Sequence, residues 1–297
     1  MNILLTGATG FLGSIIYKHL HHLNYQITTL GRSKAHVNCA LDKSVPGFNQ
    51  AFDLVVHSAG KAHSIPKTEK EKSEFFKVNV DGTLNLLRGL ENALPKALVF
   101  ISSVSVYGLA NGELINESSP LNAADPYGLS KIRAEEAVQE WCKAKNIICT
   151  IFRLPLIAGM NPPGNLNSMI KAIEKGYYIN IADGKSRKSM VLAEDVANII
   201  PAASQIGGIF NLSDGYNPSF AELSLMISKQ LKKSKPYNIP GWAANLLANT
   251  GDILGKYAPI NSAKLCKITS SLTFDDSKAR RELGWNPTLV LDGFRVR

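Results

Sequence analysis

The sequence predicts an α/β fold with a doubly wound parallel sheet, that is, a sheet covered by helices on both faces. Short apolar segments of strand length alternate with longer segments of helical length, which is the order of βαβ units. The strand segments are continuous runs of Val, Ile and Leu, a pattern typical of strands that are buried on both faces. The first of these segments leads directly into a glycine-containing turn.

The alternation can be followed along the first half of the chain. The segments "NILLTG", "QITTLG", "DLVVHSAG", "ALVFISS" and "ICTIFRLPL" predict strands, and residues 11–23, 74–94 and 127–145 predict helices. The charged run "KTEKEKSE" (67–74) predicts a mobile loop that leads into the second of these helices.

A change of composition marks the predicted domain boundary. "AGMNPPGN" (158–165) is rich in Pro, Gly and Asn, and no regular alternation follows it. We therefore predict one domain over 1–157 and a smaller, mixed lobe over 158–297. Within that lobe, "KSMVLAEDVANII" and "GGIFNLSD" predict a helix and a strand, so about 188–213 returns to the first sheet.

Composition and charge narrow the class of protein. Hydrophobic residues make up 45% of the 297 residues, and no apolar run has the roughly 18 residues that a membrane span needs. We therefore expect no membrane span. Lys and Arg exceed Asp and Glu by 33 − 24 = +9, which suits an anionic partner. The basic residues are dispersed apart from "LKKSK" (231–235), so a nucleic-acid partner is not predicted.

The cysteines indicate neither a metal centre nor a disulfide framework. Cys39, Cys142, Cys149 and Cys266 are scattered and form no CxxC pair, so we predict no metal site. A reduced, cytoplasmic location is the simplest interpretation. The chain begins in a strand-like segment, with no basic stretch followed by a cleavage site.

The turn after the first strand predicts a dinucleotide site of the Rossmann type. Gly7, Gly10 and Gly13 lie between a strand and a helix, the context in which such a motif carries meaning. Gly7 permits the tight turn, Gly10 lets the backbone approach a pyrophosphate, and Gly13 lets the helix pack closely. The free N–H groups of the helix would bind the anion.

The end of the second strand bears on which dinucleotide binds. NAD sites use a carboxylate there for the ribose hydroxyls, whereas NADP sites use Arg for the 2′-phosphate. In "TTLGRS", Gly31 stands at the acid's place and Arg32 follows it. The sequence thus favours NADP and leaves NAD possible.

"DPYGLSK" (125–131) places Tyr127 four residues ahead of Lys131. On a helix the two side chains share one face, and an ammonium beside a phenol lowers the phenol pKa, as a general acid/base requires. By itself the spacing is common, and two solvated residues on a helix are the plainer interpretation.

Several motifs in order resemble the extended short-chain dehydrogenase/reductase family, of the NAD-dependent epimerase/dehydratase type. "TGATGFLG", "DLVVHSAG", "NVDGTLNLL", "ISSVSVYG", "RLPLIAG" and "DDSKARRELGWNP" are each similar to a family segment, and they cover nearly the whole chain. The resemblance implies a Rossmann domain, a smaller C-terminal substrate-binding lobe and a possible homodimer. It also implies that Tyr127 and Lys131 are the catalytic pair.

The resemblance assigns further roles residue by residue. Tyr127 exchanges a proton with a sugar hydroxyl or keto oxygen, Lys131 binds the nicotinamide ribose, and Ser103 donates to the same oxygen as Tyr127. The implied cofactor-binding residues are Gly7, Gly10, Phe11, Leu12, Gly13, Arg32, Asp42, Ser58, Ala59, Gly60, Asn79, Tyr127, Lys131 and Pro155. For Asn79, a role as a helix cap is an equally good interpretation.

The substrate that the resemblance implies is a nucleotide-diphosphate sugar. Many family members bind the diphosphate with an Arg at the position of Lys188, beside which Arg187 stands here. Asn165, at a predicted helix start, is a further candidate contact, and Ser103 is a contact to the sugar. The family's dehydratases carry Asp-Glu where this chain has Val104 and Ser105, so elimination of water is not expected.

Three functions remain open from the sequence. The first is reduction of a 4-keto sugar by NADPH, which Arg32 favours, with Tyr127 as general acid. The second is 4-epimerisation with tightly held NAD, as in a UDP-glucose 4-epimerase. The third is a protein that senses a dinucleotide without catalysis, which the retention of Ser103, Tyr127 and Lys131 disfavours.

Two other features receive structural interpretations. Glu135 and Glu136 follow Lys131 on the predicted helix and are interpreted as its solvated face. "PGWAANLLANTGDILGKY" (240–257) is apolar but short and interrupted by Gly and Asp, so we interpret it as a helix packed within the lobe.

Overall fold

A computed structural model of the chain describes residues 1–62, 64, 66–254 and 261–296. Its central feature is a seven-stranded sheet of β1 (Asn2–Thr6), β2 (Gln26–Gly31), β3 (Val37–Asn38), β4 (Leu54–His57), β5 (Ala97–Ser103), β7 (Ile148–Leu154) and β11 (Gly208–Asn211). Every strand pair in this sheet is parallel, and the strand order is β11-β7-β5-β4-β1-β2-β3. The predicted α/β class and parallel sheet are confirmed.

The helices and the short strands complete the described part of the chain. The helices are α1 (Phe11–His22), α2 (Glu69–Phe76), α3 (Gly82–Gly89), α4 (Pro126–Lys145), α5 (Gly164–Glu174), α6 (Ala193–Ala203), α7 (Phe220–Gln230), α8 (Gly241–Leu254), α9 (Ser262–Thr269), α10 (Ser277–Leu283) and α11 (Val290–Gly293). The remaining strands are β6 (Gly112–Ile115), β8 (Leu156–Ala158), β9 (Ile179–Ile181), β10 (Met190–Leu192), β12 (Tyr237–Ile239) and β13 (Leu272–Phe274).

Both faces of the sheet are buried, as the continuous apolar runs predict. Alternate residues of a strand enter different cores: Ile3 and Leu5 of β1 belong to one hydrophobic cluster, and Leu4 belongs to the other. The first cluster includes residues of α1 and α6, and the second includes residues of α3 and α4. Burial of both faces removes apolar surface from water on each side and fixes the order of helix and sheet layers.

The chain leaves the sheet after β7 and later returns to it. β11 pairs with β7 at the edge of the sheet, and α6 packs against α1. Three two-stranded parallel sheets (β8 with β10, β9 with β12, β6 with β13) lie outside the main one. A further core, which includes Met169, Ile173 and Leu223, joins α5 to α7. The domain division at residue 157 stays a prediction.

The expected loop over 67–74 is wrong, because α2 begins at Glu69. The Thr68 hydroxyl accepts a hydrogen bond from the Glu71 N–H and so caps the helix. Glu69 and Glu71 lie in the first turn, where a carboxylate interacts favourably with the helix dipole. The predicted helix over 74–94 is divided into the end of α2, a π-helical turn (Lys77–Asp81), α3 and a 3-10 turn (Leu90–Asn92).

Candidate active site

The glycine turn after β1 forms a close contact between backbone segments. Gly7 has φ +76°, a left-handed conformation, and a Cβ there would lie 2.7 Å from the Ala59 nitrogen. A Cβ on Gly13 would lie 2.1 Å from the Gly7 carbonyl oxygen. Only glycine at 7 and 13 therefore lets the turn, α1 and the end of β4 approach one another.

Two observations show that this turn can accommodate the dinucleotide that the fold implies. Gly10 is the N-cap of α1, with no side chain that satisfies the first N–H groups of the helix, so these groups can bind an anion. A cavity of about 430 Å³ lies at the carboxyl end of β2. It is lined by Ala8, Thr9, Tyr17, Thr29, Leu30, Gly31, Lys34, Ala35 and His36.

Two basic residues of this cavity were missed in the sequence, where only Arg32 was proposed. Lys34 and His36 line the cavity, while Arg32 is exposed beside it. The His36 Nδ1 accepts a hydrogen bond from the Thr29 N–H at 3.0 Å. The signal available in the sequence was the run "GRSKAH", in which a basic residue recurs at every second position.

A buried imidazole joins the glycine turn to the next helix. The Thr6 hydroxyl and the His57 Nδ1 are 2.7 Å apart, and the His57 Nε2 lies 3.0 Å from the Thr83 hydroxyl. Thr83 donates to the Asn79 carbonyl, so it accepts from Nε2–H, and Thr6 then donates to Nδ1. Burial, with a smaller effect of Lys131, lowers the pKa of His57 to about 3. His57 is therefore a neutral structural bridge.

Asn79 holds the segment that follows β4. Its amide donates to the Lys61 carbonyl at 3.1 Å and to the Ser130 hydroxyl at 2.9 Å, and its oxygen accepts from the Lys61 N–H. Ser58, Ala59 and Gly60 lie in this segment, next to the glycine turn, because the Ala59 N–H donates to the Thr6 hydroxyl at 3.0 Å. Asn79 thus positions the backbone at which the resemblance places the cofactor's ribose.

Helix α4 begins where the chemistry is expected. The Asp125 carboxylate accepts hydrogen bonds from the N–H groups of Tyr127 and Gly128, and Pro126 occupies the first helical turn. Tyr127 therefore stands in the first turn of a well-capped helix. Its ring lies against Phe75, with 6.0 Å between the centroids.

The Lys131 ammonium is buried one helical turn further along. It donates to the Ile101 carbonyl of β5 at 2.6 Å and lies 4.4 Å from the centroid of the Phe100 ring. A Cβ placed on Gly60 would be 3.8 Å from its Nζ, so the ammonium reaches the end of β4. Burial lowers the pKa of Lys131 to about 8, and the Glu135 carboxylate opposes that shift.

In the chain without a bound cofactor, the expectation that Lys131 lowers the pKa of Tyr127 is wrong. Burial is the largest influence and raises the pKa of Tyr127, the Ser103 side chain lowers it, and the Asp125 carboxylate raises it. The Lys131 ammonium interacts with a carbonyl and an aromatic ring instead. Ser103 caps a 3-10 turn (Val104–Tyr107) at the carboxyl end of β5. The structure thus brings Ser103 and Tyr127 together.

Glu135 was interpreted as solvated, and that interpretation is wrong. It is buried, and its carboxylate accepts from the Arg153 guanidinium, at 2.7 Å for Nη2 and Oε2, and from the Ser102 hydroxyl. Glu136 is exposed as predicted. The sequence signal that was missed is Arg153 in an otherwise apolar strand, since a buried Arg requires an anionic partner.

The candidate substrate residues lie in different settings. The Arg187 guanidinium donates to the Asn217 carbonyl at 2.9 Å and lies 3.5 Å from the Glu222 carboxylate. The Lys188 ammonium is half-buried, which lowers its pKa, and no carboxylate of the described residues pairs with it. A half-buried cation without a counter-ion is suited to an anionic ligand. Asn165 is exposed in the first turn of α5.

The other predicted cofactor residues lie near the glycine turn or at the edges of the sheet. Phe11 and Leu12 begin α1. Asp42 lies near the start of α3, since its nitrogen is 3.8 Å from a Cβ placed on Gly82. Pro155 separates β7 from β8. Their predicted contacts with a cofactor stay predictions.

The described residues form neither a metal centre nor a membrane-spanning helix. No group of three or more His, Cys, Asp or Glu side chains in the described ranges could hold a metal ion. In the same part of the chain, no helix combines the length and the hydrophobicity of a membrane span.

Taken together, the parallel sheet, the glycine turn and the Ser103, Tyr127 and Lys131 cluster define a dinucleotide-binding α/β enzyme. A family model described as "NAD dependent epimerase/dehydratase family" matches residues 3–213. The chain belongs to this family, and it is therefore an NAD(P)-dependent enzyme of the extended short-chain dehydrogenase/reductase type.

Relatives and solved structures cover almost the whole chain. A UDP-glucose 4-epimerase of Vibrio cholerae is 28% identical, over 99% of this chain and 93% of its own length. An Escherichia coli O157:H7 protein, N-acetyl-alpha-D-glucosaminyl-diphospho-ditrans,octacis-undecaprenol 4-epimerase, is 28% identical, over 93% of this chain and 88% of its own. The structure of "MoeE5 in complex with UDP-glucose and NAD" is similar in fold, with TM-score 0.76 at 18% identity, over 99% of this chain and 96% of that one.

Proposed function

We propose that the protein interconverts the two configurations at C4 of a sugar carried on a diphosphate, as a 4-epimerase. The observation that carries the proposal is the placement of Tyr127 beside Ser103 at the end of β5, one helical turn from the buried Lys131 ammonium. The names of the two curated relatives support the same reaction. This choice reverses the order that the sequence favoured, in which keto reduction came first.

The side chains have distinct roles in this reaction. Tyr127 removes the proton of the sugar hydroxyl as the carbon is oxidised and returns a proton when it is reduced again. Ser103 donates a hydrogen bond to the same oxygen and stabilises the charge that develops on it. A bound nicotinamide dinucleotide would supply reversible hydride transfer at this carbon, and the configuration inverts only where the hydride returns to the opposite face of the keto carbon. Lys131 holds the ribose near the end of β4.

Lys188 is proposed to bind the diphosphate of the substrate. Its half-buried ammonium has no carboxylate partner among the described residues, so an anion would relieve the cost of its burial. The relatives named above act on a sugar carried by UDP and on one carried by a polyprenol lipid, and both carriers are attached through a diphosphate. A diphosphate-linked sugar is thus the proposed substrate class.

A second candidate is NADPH-dependent reduction of a 4-keto sugar. One observation favours it: the cation Lys34 lines the cavity at the end of β2, the cation Arg32 lies beside it, and no carboxylate of the described residues lines it. An NAD site normally has an acid there for the ribose hydroxyls, whereas cations suit a 2′-phosphate. NADP is therefore the cofactor proposed for this reductase, and NAD for the epimerase.

The first experiment identifies the dinucleotide in the protein as purified. The protein is denatured, and the released NAD or NADP is identified and counted. Stoichiometric NAD, together with interconversion of UDP-glucose and UDP-galactose, supports the epimerase. An empty protein that binds NADPH more tightly than NADH, and that reduces a 4-keto nucleotide sugar, supports the reductase instead. Absence of both activities with UDP-linked and polyprenol-linked substrates contradicts the proposed chemistry.

Cofactor preference is tested by binding alone, with nucleotide fluorescence as the readout. In an Arg32→Ala/Lys34→Ala variant, a bound 2′-phosphate would lose two cations, so NADPH affinity is expected to fall at least tenfold while NADH affinity is unchanged. A Lys18→Ala variant, at an exposed lysine in the second half of α1 that does not line the cavity, is the matched control. Equal loss of both nucleotides contradicts a 2′-phosphate site.

A further inference from the structure

The C-terminal lobe presents large apolar side chains to solvent within one short stretch. Tyr237 is 83% exposed, Trp242 is 74% exposed and Leu246 is 63% exposed. Trp242 and Leu246 are four residues apart on α8 and therefore neighbours on one helix face. Tyr237 is paired in register with Ile179, which is also exposed.

The opposite face of α8 is the one that packs on the protein. Ala244 and Ala248 are buried against Leu265 of α9, with Ile181 and Ile239 from the two-stranded sheet. These alanines are offset by two residues from Trp242 and Leu246, which on a helix places them on roughly opposite faces. Trp242 and Leu246 therefore do not belong to that core, and in the described structure they are in contact with solvent.

Exposed lysines precede these apolar residues directly. Lys232, Lys233 and Lys235 lie in the connection between α7 and β12, and all three are exposed. No carboxylate of the described residues forms an ion pair with them. The sequence contains no Asp or Glu between Leu223 and Gly251. The stretch thus combines three cations with an indole, a phenol and an isobutyl group.

We infer that the 232–246 surface, defined as Lys232, Lys233, Lys235, Tyr237, Trp242 and Leu246, docks the protein on an anionic phospholipid bilayer. Trp and Tyr favour the boundary between headgroups and acyl chains, since one part of each ring system is apolar and another forms hydrogen bonds. Lysines next to such residues add attraction to anionic headgroups. Such docking is peripheral, with α8 lying on the membrane rather than crossing it.

Charge disfavours a second copy of the chain as the occupant of this surface. In a symmetric dimer the same patch contacts itself, so the lysines of both protomers would be brought together without a carboxylate in the stretch to offset them. An anionic lipid surface supplies the missing negative charge. The inference does not depend on the reaction proposed above, because it concerns only where the protein is held.

The test uses the full chain and vesicles of phosphatidylcholine with or without phosphatidylglycerol. We expect cosedimentation with the anionic vesicles, weakened by salt, and a blue shift of tryptophan emission. The shift reports Trp242, because Trp285 is buried and the indole of Trp141 is bonded to Glu91. A Trp242→Gln/Leu246→Gln variant is expected to bind these vesicles at least roughly tenfold more weakly. A Leu23→Gln/Ile206→Gln variant, changed at exposed apolar residues elsewhere, is expected to bind normally.

The charged half of the surface is tested separately. Replacement of Lys232, Lys233 and Lys235 by Gln is expected to remove the preference for anionic vesicles, and replacement of the exposed Lys18, Lys43 and Lys143 is expected to preserve it. Three results overturn the inference: no cosedimentation with either vesicle, equal losses in the control variants, or a dimer in solution that the Trp242→Gln/Leu246→Gln variant abolishes.

Discussion

The Arg153 guanidinium and the Glu135 carboxylate form a buried ion pair, with 2.7 Å between Nη2 and Oε2. The pair joins β7 to α4, the helix that carries Tyr127 and Lys131. The Ser102 hydroxyl of β5 donates to the same carboxylate, and the Tyr107 hydroxyl lies 3.2 Å from the guanidinium. This network fixes α4 against the sheet and places a negative charge one turn from the Lys131 ammonium.

Removal of one partner of this pair is expected to be costly. A Glu135→Gln variant leaves the Arg153 charge uncompensated in the interior, so the free energy of unfolding should fall by about 3–5 kcal/mol. Urea unfolding measures the change. The matched control is Glu136→Gln at the adjacent exposed position, for which we expect a change within about 0.5 kcal/mol. Similar stability of the two variants would show that the pair is not formed.

The acid/base role proposed for Tyr127 predicts a loss of rate without a loss of fold. A Tyr127→Phe variant keeps the ring contact with Phe75 but has no hydroxyl to exchange a proton, so kcat should fall by about 10²–10⁴-fold. Steady-state assays with a UDP-linked or polyprenol-linked sugar that the wild-type protein converts measure kcat, and dinucleotide binding should be retained. Tyr177→Phe, at an exposed tyrosine, is the control. Full activity of Tyr127→Phe would refute the assignment.

The Lys131 pKa of about 8 predicts how dinucleotide binding depends on pH. Below this pKa the ammonium is charged and can donate to the ribose, and above it the donor is progressively lost. Affinity should therefore be constant below about pH 8 and fall by up to about tenfold per pH unit above it. Fluorescence titrations at a series of pH values measure this. Lys131→Met should bind weakly at every pH, and an unchanged profile in that variant would assign the effect to another group.

The neutral His57 predicts a loss of stability in acid. Its pKa is about 3 in the folded chain because of burial, against 6.5 for an unperturbed histidine, so the unfolded chain binds the additional proton between these values. Stability attributable to His57 is complete above pH 6.5. As the pH falls toward 3, it is lost at about 1.4 kcal/mol per pH unit.

Unfolding curves at several pH values measure this slope. A His57→Gln variant is less stable at neutral pH but should show a smaller slope below pH 6.5. His22→Gln, at an exposed position, should leave the slope unchanged. A wild-type slope in His57→Gln would contradict the buried, neutral assignment.

The glycine turn predicts which glycine tolerates a methyl group. Gly13→Ala would place Cβ 2.1 Å from the Gly7 carbonyl oxygen, so α1 must move away from the turn. We expect loss of dinucleotide binding and a lower melting temperature. Gly47→Ala, where a Cβ meets no atom within 4 Å, should change neither property. If the Gly13→Ala variant binds the dinucleotide normally, the assignment of this turn to the cofactor site is wrong.

The local features of this protein follow from its sequence alone. The strand, glycine turn and helix at residues 2–22, and the spacing of Tyr127 and Lys131, depend only on residues that are near one another in the chain. Periodicity and backbone conformation determine such features, and the family motifs follow the same order. The α/β class follows equally, because an apolar strand without alternation must be covered on both faces.

The partners of the buried polar groups were decided by the tertiary structure. Glu135 on α4 meets Arg153 on β7, the Lys131 ammonium meets the Ile101 carbonyl on β5, and His57 lies between two threonines from different elements. Each contact depends on the order of the strands in the sheet, which brings distant segments side by side. Helical periodicity places Glu135 on the same face of α4 as Lys131, Val138 and Cys142, but it does not show that this face meets Arg153. Burial in a low-dielectric interior then sets the pKa directions of His57, Tyr127 and Lys131.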